Sequence, residues 1–147
     1  MSFSTTTAMR VAEYIITKSY ENRTPVSNLK LQKLLYFVQG QAIKVYGERA
    51  FTESIEAWDY GPVVRSVYLK FRIFGAGPIC REYPIVSLTD ETKDLIDEVI
   101  NKYNGSSAWD LVQLTHTKGT PWSDAIDSGS LTISIHSMYK YFRNADE

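Results

Sequence analysis

LKLQKLLYFVQGQAIKVYG, residues Leu29 to Gly47, carries the strongest helical pattern in the chain. Leu31, Leu34, Leu35, Val38, Ala42 and Val45 recur at the spacing of one helix face, and Tyr36, Phe37 and Ile43 add apolar surface around it. A helix apolar over most of its circumference must be covered on several sides, so residues 28–46 are expected at the centre of the fold. Ser27 and Asn28 provide its start, and Gly47 is placed to end it in a left-handed cap.

Working outward, Ala8, Val11, Ala12, Ile15, Ile16 and Ser19 form the stripe of a first amphipathic helix, which ends before Pro25. On the other side, SIEAWDY alternates in the manner of a short strand, with Ile55 and Ala57 on one face and Glu56, Trp58 and Tyr60 on the other. Gly61-Pro62 reads as a helix start, with proline where its missing N–H costs nothing. Val64, Val67, Tyr68 and Phe71 form the buried stripe of that helix, which stops near Gly75.

The segment AGPICREYPIVS holds two prolines and no helical period, so it is a loop with at most one short strand around Ile85 and Val86. Thr89 reads as the N-cap of a further helix, with Asp90 and Glu91 in its first turn and Leu95, Ile96, Val99, Ile100 and Tyr103 on its core face. Ser106 or Ser107 caps the next, which contains Ala108, Leu111, Val112 and Thr115. A short helix from Pro121 to Ile126, a DSGS turn, a strand in LTISI and a last helix with Met138, Tyr141 and Phe142 complete the chain. The expected class is mainly α (α+β). It is one compact helical bundle over residues 1–147, built around the central helix with a two- or three-stranded β element.

At 147 residues the chain is long enough to bury a substantial core. Cys80 is the single cysteine, which excludes an intramolecular disulfide and a cysteine-built metal site. With no apolar signal region and nothing approaching a membrane span, these features point to the cytoplasm. The net charge of −1 hides a polarity. Through Arg81 there are 11 Lys/Arg against 6 Asp/Glu, and beyond it 5 against 11. Such a chain can steer a charged partner or a second copy of itself into a homodimer.

Candidate chemistry is sparse. His116 and His136 are far apart and have no metal-ligand spacing, so no metal and no cofactor are expected. Cys80 with His116 is the one conceivable nucleophile–base pair, but nothing in the sequence places the two together, and Cys80 reads as structural. Asp94, Asp97 and Glu98 read as a solvated helix face. Lys30, Lys33 and Lys44, with Arg65, Lys70 and Arg72, are basic positions on two helices. They admit phosphate contacts, but no recognisable nucleic-acid reader accompanies them. Phe37 among the lysines favours a protein-binding surface instead. In LTHTKGTPW, His116 closes a helix, Gly119 turns the backbone, Thr120 caps the next helix, Pro121 takes its first position and Trp122 enters the core. Each residue has a structural role there, so no catalytic residue is expected.

Three elements occur in a fixed order: LQKLLY over Leu31–Tyr36, EAWDYGPVVRSVY over Glu56–Tyr68, and THTKGTPW over Thr115–Trp122. Together they resemble the Panacea antitoxin domain family, the SocA-like and GepA-like proteins of bacteria, phages and mobile elements. The resemblance runs from about Ala8 to Phe142. Its motif positions here are Lys30, Gln32, Lys33, Tyr36, Trp58, Tyr60, Gly61, Pro62, Val63, Tyr68, His116, Pro121 and Trp122. The resemblance implies a non-enzymatic antitoxin that binds and neutralises a cognate toxin protein. In one branch the antitoxin is instead an adaptor that hands the toxin to a protease unfoldase; autoregulation through nucleic acid is a further alternative. Because partners differ across the family, shared motif residues are expected to hold the fold. The toxin-facing residues are expected on exposed helix faces and in the loop Arg72–Pro84, with Phe37, Arg65, Lys70, Arg72, Arg81 and Tyr83 as candidates.

Overall fold

The computed structural model describes residues 3–143, so the outermost residues of the expected domain lie outside it. Its described helices are α1 (Ala8–Glu21), α2 (Asn28–Tyr46), α3 (Arg65–Phe71), α4 (Asp90–Lys102), α5 (Ala108–His116), α6 (Pro121–Asp127) and α7 (Ile135–Arg143). Its strands are β1 (Ile55–Trp58), β2 (Gly61–Val63) and β3 (Thr132–Ile133). The mainly helical class with a small sheet is therefore what the chain adopts.

Helix α2 is the axis of the molecule and packs against α1, α3, α4, α5, α7 and β2. Leu31, Leu34, Leu35, Val38, Ala42 and Ile43 are fully buried. Each such large aliphatic side chain contributes about 2 kcal/mol on leaving water. Ser27 caps the helix by accepting from the Lys30 N–H, and Gly47 closes it at φ +70°. Arg143, at the end of α7, donates to the exposed carbonyls of Ile43 and Lys44 and locks the two helix ends together. Val45 departs from the expected stripe: it is exposed.

The other cap assignments hold: Thr89 caps α4, Ser107 forms a capping box with Asp110 on α5, and Thr120 caps α6 with Pro121 at its start. Thr7 caps α1. The N-terminal segment is tied down: Phe3 is buried and stacks on Tyr46 at 4.5 Å, and the Thr6 N–H donates to Ala50 O.

The sheet has the order β2–β1–β3 and is antiparallel throughout. Gly61-Pro62 does not start a helix: it is strand β2, paired through Ala57↔Pro62 and Trp58↔Gly61, and α3 begins only at Arg65. The two readings share their residues, since proline is equally at home at a helix start and on an edge strand. Asp59-Tyr60 form a two-residue hairpin turn, and Gly61 leaves it at φ +106°. Pro62 lies one residue beyond the closing pair, where backbone groups point away from β1, so its missing N–H breaks no ladder bond. The segment around Ile85-Val86 is a loop without a strand, held by Ile79 N–H to Val26 O and Tyr83 N–H to Thr17 Oγ1.

Candidate partner-binding site at the motif junction

The three sequence motifs meet in space beside the outer edge of β2. That edge carries a carbonyl at Pro62 and an N–H at Val64, and α2 answers both. Lys33 Nζ donates to Pro62 O at 3.0 Å, and Gln32 Oε1 accepts from the Val64 N–H at 3.0 Å. Gln32 is itself set by Asn28, whose Oδ1 accepts from Gln32 Nε2 and whose Nδ2 donates to Tyr68 O. The Gln-Lys pair of the first motif thus joins α2 to the strand and helix of the second. A hydrogen-bonded set of this kind fixes position because each buried polar group is costly to leave unpaired.

Lys33 is fully buried, which corrects the reading of it as a basic surface position. Burial pushes its ammonium down to about 7, and no carboxylate is among its contacts. Gly61 lies directly over it: a Cβ there would sit 2.8 Å from Lys33 Cε and 2.9 Å from Thr115 Oγ1. The glycine is needed for both its positive φ and its lack of a side chain.

The third motif closes the junction. Trp122 Nε1 donates to Trp58 O at 2.7 Å, and the Trp122 ring stacks on His116 at 3.8 Å and 9°. Trp122 is half-buried at the border of the core instead of within it. His116 holds a hydrogen bond with the Asp59 backbone. Burial and the nearby Lys33 charge nevertheless move its pKa below the usual imidazole value. Its Nε2 is buried without a partner.

Around this junction opens a groove of ≈ 810 Å³. Its walls carry Trp58, Tyr60, Tyr68 and Trp109, its rim Arg65 and Arg72, and Lys33 lies under its floor. Tyr60 and Trp109 are more than half exposed and meet edge to face at 5.2 Å. Asp59, Tyr60 and Trp109 also line a second depression that reaches His116 and Thr117, so the aromatic pair is a ridge between two hollows. Arg65 lies over the Trp58 ring and bonds Glu56 through Nε at 3.3 Å. Trp109 escaped the sequence reading. Its signal was present: with Leu111, Val112 and Thr115 facing the core, a tryptophan at 109 lies off the buried stripe of α5.

The other candidates are scattered. Phe37 stacks on Tyr103 at 4.5 Å in a separate groove between α2, α4 and α7 that also holds Lys44, Leu114 and Tyr141. Tyr36, from the first motif, is buried beside Phe37 and Phe142. Lys70 pairs with Glu13 at 3.1 Å and sits over Phe71 and Tyr83, while Arg81 covers Phe74. Lys30 donates to Ser106 O at 2.6 Å. A continuous basic surface of Lys30, Lys33, Arg65, Lys70 and Arg72 is therefore not formed. Asp97 also departs from a purely solvated role, since it accepts from Tyr14 OH at 2.9 Å. Cys80 is exposed in the loop after α3, and His116 packs against Trp122. Among the described residues no His, Cys, Asp or Glu cluster is arranged to hold a metal, and no helix is long and apolar enough to cross a membrane.

The family description "Antitoxin SocA-like, Panacea domain" matches residues 31–123, a span that contains all three motifs. The chain is 32% identical over 134 residues to Antitoxin SocA of Caulobacter vibrioides, covering 83% of this chain and 71% of that protein. No solved structure matches it.

Proposed function

The chain belongs to the SocA-like Panacea antitoxin family, and on that premise we propose that it neutralises a cognate toxin protein by direct contact. The observation that carries this reading is the groove at the motif junction. Exposed Trp, Tyr and Arg are the side chains that supply most of the affinity in protein interfaces, and here they converge on one face. They stand on the hairpin, α3 and its following turn, and α5. The bonds of Gln32, Lys33 and Trp122 hold the hairpin and the start of α3 from beneath, and Lys30 ties the segment leading into α5. Little order has to be imposed when a partner binds such a surface.

His116 serves as a positioning residue in this reading. Its contacts are an indole face and a backbone group, with no nucleophile or orienting carboxylate among them. Co-expression with the neighbouring gene tests the proposal. Growth arrest by that gene is relieved by the wild-type chain, and the two products co-elute as a complex. Absence of both rescue and complex overturns it.

A further inference from the structure

The charged groups at the motif-junction groove are Lys33, Arg65 and Arg72 against Asp59 and, paired to Arg65, Glu56, so among the described residues the cation exposed there without a partner is Arg72. Arg72 stands exposed in the 3₁₀ turn after α3 and makes no ion pair among the described residues. Arg65 is held to Glu56 through Nε, which leaves the terminal amino groups of its guanidinium out of that bond. Lys33 spends one hydrogen bond on Pro62 O and faces no counter-ion. A guanidinium fork matches a carboxylate in two parallel hydrogen bonds, and the match strengthens beside aromatic walls that exclude water. The groove between α2, α4 and α7 also carries more cations than anions, Lys44 and Lys102 against Glu98, but it has no arginine and no tryptophan in its lining.

We propose that the groove is the docking site for an acidic segment of the partner protein. A carboxylate of that segment lies across Arg72 and Arg65. Its apolar neighbours sit against Trp58, Tyr68 and the Tyr60–Trp109 ridge. The assignment rests on the reading of the chain as a direct protein binder and adds the chemistry of what it grips.

The test uses the full chain and three decapeptides in which leucine alternates with glutamate, lysine or glutamine. Affinity is read from tryptophan emission and location from amide chemical shifts. The glutamate peptide is expected to bind in the groove and to weaken with salt, and Arg72→Glu to lower its affinity by about tenfold. Trp109→Ala, which removes an exposed ring, lowers it by a similar factor at an unchanged melting temperature. Arg10→Glu, on an exposed position of α1, makes the same change of net charge outside the groove and leaves affinity within about twofold. No preference for the glutamate peptide, shifts centred elsewhere, or equal effects of Arg72→Glu and Arg10→Glu overturn the proposal. The outcome is separable from toxin neutralisation: peptide capture without rescue by the chain sinks the antitoxin mechanism and leaves the groove, and the reverse result does the opposite.

Discussion

Two grooves border α2, of ≈ 810 and ≈ 750 Å³, and they are built by opposite means. The first is wired: Asn28, Gln32 and Lys33 reach across to named backbone atoms of β2 and α3, and Trp122 does the same to β1. The second is packed: Phe37 stacks on Tyr103, Tyr36 meets Phe142 edge to face, and Phe142 presses on Gly40. Directional bonds demand particular atoms at particular places, whereas apolar contact demands volume and shape. This accounts for the clustering of motif residues around the first groove.

The contrast is most easily broken at its glycines. Gly61→Ala introduces a Cβ at φ +106° and against two buried neighbours, and is expected to cost about 3 kcal/mol in chemical denaturation. A loss below about 1 kcal/mol would show that the hairpin simply moves away from Lys33. Next in size is the pH dependence of Lys33. Its folded value is about 7 and its ordinary value 10.5, so between them the unfolded chain holds a proton that the folded chain lacks. Stability therefore rises with pH, by about 2 kcal/mol from pH 7 to 9. Lys33→Met should flatten this rise, and a slope that survives the substitution assigns it to another group. His116 acts in the same direction at lower pH, because its folded pKa is depressed and stability falls as the imidazole is forced to charge.

On the packed side, Gly40→Ala places a Cβ 2.4 Å from the Phe142 ring. The overlap is partly offset by the better helix propensity of alanine, for a net loss of about 1.5 kcal/mol. Adding Phe142→Leu recovers most of it, since the two sites exchange only volume. Failure of that rescue would erase the distinction between the two grooves. The smallest effect is Trp122→Phe, which keeps the His116 stack and removes the bond to Trp58 O, at about 1 kcal/mol in the same assay.

Where the physics is local, the chain was legible. The central helix, its serine and glycine ends, the caps Thr89, Ser107 and Thr120, and the strand at Ile55 follow from spacing and backbone preference within a few residues. What escaped depends on who lies opposite. Pro62 satisfies a helix start and an edge strand alike, and only its pairing with Ala57 separates them. Lys33 follows the chemistry of a surface lysine until β2 covers it, and Trp109 gains meaning only through Tyr60. The motif residues were thus legible as a list, expected to hold the fold, and not as the lining of a groove. Its floor, walls and sign required the tertiary contacts.

The strand edge at β2 has one more consequence. An uncovered edge is a template on which another chain can add a strand. Here the edge is stoppered by two side chains of a helix, Gln32 and Lys33, instead of by a further strand. Loss of either stopper would first appear as association that grows with protein concentration, ahead of any loss of helix. The same pair of residues that positions the groove thus also closes the strand edge to a second chain.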